Sequence, residues 1–402
     1  MSQPASPRLI LVLCILAYIS GGAISMVLSV YLPAIITDLM GENNPRIMSQ
    51  TGPWLNAAYL AGMTVGGLML GFISDQWGRV RVLCLSLLFC GISTLGATLA
   101  TDWIWLAWLR VCSGVGVSGI LIACAVLVAE SWPLKSRAIA QGILGVAFPV
   151  GIVLSGSLNV WIDQWRIAFN LGWAPLLLAP LLFLLIPETA SGKREGQSGN
   201  SLKKLFQSQN KQKLWRGAAI YGADLVGLWA IFSWMPTWVD SLLDGSEMAG
   251  AMRGITMMIL GMGGMIGTGL SGLLVNTLGL RKTLLSNFAG TLALCSFIFL
   301  SNQAFSYALL AQTVLLSLFF GISQGALTVF VTELFPKEIR ASGTGFCFNI
   351  GRFFTTSAVF FVGSLVEVLG GYSNAMLLFS GAFLVAGLIL YRSPELTNER
   401  SA

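Results

Sequence analysis

Apolar runs of about twenty residues, the length that carries a helix across the hydrocarbon core of a bilayer, recur from one end of this chain to the other. Lipid offers the backbone no hydrogen-bond partner, so runs of this kind have to become helices that satisfy themselves. The pattern predicts twelve spans: 9–32, 51–73, 82–100, 104–129, 138–160, 167–187, 215–238, 254–275, 282–300, 304–330, 342–369 and 373–391. Charge usage agrees. Only 10% of the 402 residues are charged, against about 25% in a soluble domain, whose surface has to be solvated. The first run is too long for a signal peptide, lacks an A-x-A cleavage site and continues into Tyr31, Pro33 and Asp38, so it reads as a span.

The net charge of +6 does not point to nucleic acid, because the basic residues alternate with the spans. With the N-terminus in the cytoplasm, eighteen Lys and Arg fall in inside segments and only Arg46, Arg166 and Arg253 fall outside. That asymmetry follows the positive-inside rule. It places both termini in the cytoplasm of a multi-pass protein of a bacterial inner membrane or plasma membrane. The stretch 188–213, rich in Ser, Gly, Gln and Lys, reads as a cytoplasmic linker between two six-helix bundles, 1–187 and 214–402. There is no histidine, all seven cysteines lie inside spans, and none forms a C-x-x-C pair, so neither a metal, a cofactor nor a disulfide framework is expected.

The two bundles repeat each other. Gly71-Phe-Ile-Ser-Asp75-Gln-Trp-Gly78-Arg79-Val-Arg81 follows the second span, and Gly272-Leu-Leu-Val-Asn276-Thr-Leu-Gly279-Leu-Arg281-Lys282 follows the eighth, at an offset of 201. Glu130, Pro133, Arg137 and Gly142 after the fourth span recur as Glu333, Pro336, Arg340 and Gly345 after the tenth, at an offset of 203. The sixth span ends Pro187-Glu188-Thr189 and the twelfth Pro394-Glu395-Leu396-Thr397.

The first of these loops resembles the G-x-x-x-D-x-x-G-R motif of the major facilitator superfamily, and the Glu-x6-Arg pairs resemble its sugar-porter, organic-ion and metabolite:proton branches. The resemblance covers essentially the whole chain. It implies an all-α fold of twelve transmembrane helices in two pseudo-symmetric six-helix bundles, a secondary active transporter working by alternating access as a monomer, and no enzymatic activity. It also implies that Gly71, Asp75, Gly78, Arg79, Glu130, Arg137, Glu333 and Arg340 form a cytoplasmic gate, with Asp75 held by the eleventh helix.

Ionisable residues inside a span are costly and are functional candidates by default. Three lie deep: Arg110, Asp224 and Arg352. Asp224 and Arg352 sit at similar depths in the second half, so a permanent ion pair between them is one reading and a substrate site the other. Arg110, Gly114 and Gly116 resemble the family's R-x-x-x-G-x-G motif, and Asn349-Ile-Gly351-Arg352 resembles the N-x-G-R run of organic-anion and metabolite transporters. Two arginines against one aspartate leave a positive charge that an organic carboxylate would neutralise, and guanidinium matches a carboxylate bidentately. The candidate binding residues are therefore Arg110, Arg352, Asn349, Tyr221 and Gln312, the last being the repeat partner of Arg110. Asp224 is the candidate proton carrier. The alternative reading for Arg110 is a guanidinium bonded to helix backbone.

The function expected is proton-coupled transport of a small carboxylate-type metabolite. A drug:proton antiporter is the rival, but the fifth span reads Gly145-Val-Ala-Phe148-Pro149-Val-Gly151, without the glycine before proline or the double glycine of that branch. A sugar porter is a further alternative, although the seventh span lacks the Gln-Gln and Asn set suited to hydroxyls. An enzyme or a receptor would need a catalytic cluster or a folded outer domain, and outer loops such as 37–50 are short.

Overall fold

A computed structural model describes residues 6–41, 45–133, 136–187, 206–243, 246–336 and 339–393. Lys135, Lys337 and most of the expected linker lie outside these residues, as does the side chain of Asp75 within its helix. The described residues form twelve helices: α1 Pro7–Met40, α2 Pro45–Trp77, α3 Arg79–Gly96, α4 Trp103–Ser131, α5 Arg137–Trp161 and α6 Trp165–Leu185; then α7 Ser208–Ser241, α8 Ala249–Leu278, α9 Leu280–Ser301, α10 Tyr307–Glu333, α11 Arg340–Leu369 and α12 Tyr372–Tyr391. Eleven of them are long and apolar enough to cross a membrane, and α2 matches them in length at 33 residues.

Several helices outrun the predicted spans, because helical hydrogen bonding does not stop where hydropathy falls. α1 passes Pro33 and ends only at Gly41, whose left-handed backbone (φ 76°) lets its N–H bond to the Thr37 carbonyl. With α2 beginning at Pro45, the expected outer loop 37–50 contracts to a few residues. α7 likewise takes in Ser208–Lys213, the last part of the expected linker. Starts are set by caps: Ser6 accepts from the Leu9 N–H at 3.3 Å, and Asp102 from the Trp105 N–H at 2.8 Å. α2 and α3 are separated by Gly78 (φ 103°), and α8 and α9 by Gly279 (φ 84°).

The chain divides into two packed units, Met1–Gly192 with Met235–Gly261, and Lys193–Trp234 with Met262–Ala402. Inside the first, helices meet where small residues let backbones touch. A Cβ on Gly62 would overlap the Val111 carbonyl oxygen, one on Gly66 would come within 2.7 Å of Val115 Cα, and one on Gly114 would overlap the Tyr59 oxygen, fixing α2 against α4. Gly22 and Gly151 lock α1 to α5 in the same way, and Gly91 with Gly172 locks α3 to α6. Segment 235–261 adds a further crossing: Gly156 of α5 faces Gly254 of α8, each leaving no space for a Cβ beneath the other's carbonyl.

The second unit repeats these contacts. Gly263 and Gly267 of α8 meet Ser317 and Leu318 of α10, Gly222 of α7 meets Gly351 of α11, and α9 packs on α12. The pair Gly66–Val115 thus recurs as Gly267–Leu318, at the two offsets found in the motifs. Without a hydrophobic drive between helices in lipid, such close packing is what holds a bundle together. Outside the crossings, large apolar side chains such as Leu184, Phe183 and Ile92 lie exposed, as a surface facing acyl chains requires.

Filling a crossing is therefore costlier than filling open surface. Gly66→Leu and Gly267→Leu are each expected to lower the melting temperature in detergent and to broaden the size-exclusion peak. Gly142→Leu, where nothing lies within 4 Å, is expected to behave as the native chain.

Candidate functional site

In the second unit the chemistry gathers around α7. Asp224 is completely buried (0% exposed) in the middle of that helix. Gln324 of α10 donates from Nε2 to its Oδ2 at 2.8 Å, while Oδ1 has no hydrogen-bond partner. The neighbouring Ser323 hydroxyl lies beside the carboxyl group but donates to the Phe320 carbonyl at 3.0 Å. A carboxyl group held by a single neutral donor in apolar surroundings is under-solvated for a permanent charge.

One turn earlier Tyr221 stacks on Phe348 of α11, ring centroids 4.6 Å apart and planes at 27°. The stack is possible because Gly222 and Gly351 bring the two backbones together; a Cβ on Gly222 would sit 3.2 Å from Gly351 Cα. The same crossing brings Arg352, the residue after Gly351, to the helix that carries Tyr221 and Asp224. Yet no ion pair joins Asp224 to Arg352 among the described residues, and the Arg352 guanidinium, half-buried, has no hydrogen-bond acceptor there. Asn349 donates from Nδ2 to the Gly345 carbonyl at 2.8 Å and leaves its buried Oδ1 unpaired. Gln312 is elsewhere. It accepts from Asn302 Nδ2 at 2.7 Å near the start of α10, twelve residues or about 18 Å along the helix from Gln324.

In the first unit Arg110 is 2% exposed. Its Nη1 donates to the Ile24 carbonyl at 3.0 Å and its Nη2 to the Ser25 carbonyl at 3.2 Å, both on α1. Its Cζ lies 4.2 Å from the centroid of the Tyr59 ring, a cation–π contact. The guanidinium therefore clamps α4 to α1 and α2.

At the ends expected to face the cytoplasm, Arg79 pairs with Glu130 at 3.4 Å and donates to the Ser74 carbonyl at 3.0 Å. Arg137 turns to the Trp132 carbonyl at 3.4 Å and Arg340 to the Phe335 carbonyl at 3.2 Å, while Glu333 is exposed at the end of α10. The Glu-x6-Arg spacing thus places a Glu at the end of α4 and of α10, and Glu130 pairs with Arg79 rather than with Arg137 among the described residues. Gly71 and Gly78 flank it on α2 and at the α2–α3 turn. At the opposite end Arg166 pairs with Asp38, to which Trp165 Nε1 also donates at 3.1 Å, and Arg253 pairs with Asp240.

Sequence reasoning missed Gln324, the one residue among those described that donates an N–H to the Asp224 carboxyl group. The signal was present, since Gln324 interrupts an apolar run, as do Asn56 and Asn159. A search confined to ionisable residues passes over neutral amides, whose burial in lipid is also costly.

The sequence profile of the Major Facilitator Superfamily matches residues 11–357. The cis,cis-muconate transport protein of Acinetobacter baylyi is 28% identical over 390 residues, covering 93% of this chain and 91% of its own length. The 3-(3-hydroxy-phenyl)propionate transporter of Escherichia coli is 27% identical, covering 84% and 83%. A bacterial homologue of the human lysosomal transporter Spinster shares the fold with a TM-score of 0.76, covering 99% of both chains at 17% identity.

The Asp224–Gln324 contact makes a thermodynamic prediction. Gln324→Leu, which strips the carboxyl group of its amide donor, is expected to destabilise the protein by about 1–3 kcal/mol. Adding Asp224→Asn should recover part of that loss, a non-additivity that a double-mutant cycle of melting temperatures measures.

Proposed function

The chain belongs to the Major Facilitator Superfamily, and we propose that it carries a small organic acid across the membrane together with a proton. It works by alternating access, as a monomer with both termini in the cytoplasm. The observation that carries this reading is that Asp224 and Arg352 lie on two helices that touch at Gly222 and Gly351, yet form no ion pair with each other among the described residues. A buried ion pair would be a closed structural unit. Kept apart, the guanidinium is free to take an anion and the carboxyl group to exchange a proton.

Each group then has a task. Arg352 receives the substrate carboxylate in its planar fork, a geometry suited to two parallel hydrogen bonds. Asn349, on the turn before, offers its unpaired Oδ1 to a hydroxyl or other donor on the same molecule. The stacked Tyr221 and Phe348 rings supply an apolar wall for a conjugated or aromatic body. Asp224, neutral or charged, alters what the neighbourhood of Arg352 demands of its occupant, which couples proton and anion. Arg110 supplies positive charge in the first unit, and Gln312 lines the path near the start of α10. Gly71, Asp75, Gly78, Arg79, Glu130, Arg137, Glu333 and Arg340 form the cytoplasmic gate. The Arg79–Glu130 contact suits that task, because a half-exposed pair is worth no more than about 1 kcal/mol and breaks readily. The names of the relatives, a muconate and a hydroxyphenylpropionate transporter, support an organic acid as cargo.

Proteoliposomes test the proposal directly. Labelled cis,cis-muconate and 3-(3-hydroxyphenyl)propionate are expected to accumulate under an inward proton gradient and to leak back when a protonophore collapses it. Asp224→Asn should abolish accumulation while leaving counterflow exchange intact. Arg352→Met should raise the half-saturating concentration about tenfold or more, the loss expected for one charge-assisted hydrogen bond. Movement of cations or neutral drugs with no movement of any carboxylate would overturn the reading.

A further inference from the structure

Asn56 lies in the interior of α2 at 5% exposure. Its Oδ1 accepts from the Ser29 hydroxyl of α1 at 3.1 Å, and its Nδ2 has no partner. Two routes tie this amide to Arg110. Ser29 is one helical turn from Ser25, whose carbonyl accepts from Arg110 Nη2. Tyr59, three residues from Asn56 on the same helix face, carries the ring that Arg110 covers. Arg110 itself has an unpaired buried atom, Nε.

The cluster therefore holds two buried N–H donors that nothing among the described residues satisfies, while the Asn56 Oδ1 already accepts from Ser29. A purely structural amide would be expected to use both ends, because an unmet buried donor is costly, and a leucine of similar size would pack there without it. What fits two unmet donors beside a guanidinium is a group with lone pairs, no hydrogens of its own and negative charge. An amine is repelled by Arg110, and a neutral hydroxyl would leave the buried guanidinium charge uncompensated.

We propose that Asn56, oriented by Ser29 and seated beside Arg110, is a carboxylate-recognising subsite of the first unit, and that it contributes to choosing acids over their neutral analogues. Ser29 is a positioning residue, since it acts by fixing which end of the amide is presented. The proposal rests on the reading of the chain as an organic-acid transporter and adds a site in the unit that does not contain Asp224 or Arg352.

The test is ligand-induced stabilisation of the purified full chain in detergent, read as melting temperature against concentration. The probes are cis,cis-muconate, 3-(3-hydroxyphenyl)propionate and the methyl ester of the latter. The native chain should be stabilised by an acid and not by the ester. Asn56→Leu should weaken the acid's half-saturation about tenfold or more without lowering the melting temperature of the ligand-free protein. Asn56→Asp, which turns a like charge on the ligand, should abolish the response, and Asn56→Gln should restore part of it. Ser29→Ala, a smaller change that keeps the fold if Asn56→Leu does not, should weaken the acid severalfold. Unchanged half-saturation in Asn56→Leu or in Ser29→Ala would sink the subsite while leaving the transport proposal standing. A native chain indifferent to both acids would sink the two together. A more stable Asn56→Leu with native affinity would show that the amide merely holds a water.

Discussion

A peptide group in the hydrocarbon core of a bilayer has no water to turn to, so each stretch of this chain that enters the core closes its hydrogen bonds on itself. Helices made in this way gain little by hiding their apolar faces from equally apolar lipid. They stay together only where their backbones approach closely enough for dispersion forces to act over a long contact. The glycines at the crossings supply that approach. Gly62, Gly66 and Gly114 seat α2 on α4, Gly22 and Gly151 seat α1 on α5, and the second unit has its own set. The crossings also decide where side chains end up. Arg352 sits near Tyr221 because Gly222 and Gly351 let α7 and α11 touch.

Against this frame the polar residues sort by how completely they are satisfied. Arg110 spends two of its N–H groups on the carbonyls of Ile24 and Ser25 and its face on Tyr59. It binds helices together while still keeping Nε unpaired. Among the described residues Asp224 has one donor for two oxygens, and the Arg352 guanidinium makes no hydrogen bond or ion pair. Incomplete satisfaction is costly in a medium that offers no water in exchange. Among the described residues such groups include Asp224 and Asn349 in one unit and Asn56 and Arg110 in the other.

Much of the architecture was legible in the sequence. Hydropathy located twelve helices, and the offsets of 201 and 203 that relate the motifs also relate the contacts Gly66–Val115 and Gly267–Leu318. Deep charge singled out Asp224, Arg110 and Arg352. What could not be read was who meets whom. Arg110 reaches carbonyls 86 and 85 residues away, and Asp224 finds Gln324 at a separation of 100. Such pairings depend on the rotation of each helix about its axis, which the small-residue crossings set and periodicity alone does not. The same reason separates Gln312 from the α7 site: its amide turns to Asn302, and at the offset of 203 that relates α4 to α10 the position answering Arg110 is Thr313 rather than Gln312. Helix ends were misjudged for a different reason, since Gly41 rather than the loss of apolar residues stops α1.

The turn joining α2 to α3 and its copy joining α8 to α9 differ in almost every side chain. Asp75 stands against Asn276 and Arg79 against Leu280, yet Gly78 and Gly279 hold the same backbone, at φ 103° and ψ 151° and at φ 84° and ψ 152°. That region is closed to residues bearing a Cβ on the L side. Charge at such a turn can be moved to a neighbour or replaced by a hydrogen bond, but stereochemistry cannot be delegated. What the two halves have kept in common there is a handedness, a point in the chain where every amino acid the ribosome supplies, glycine excepted, is the wrong enantiomer.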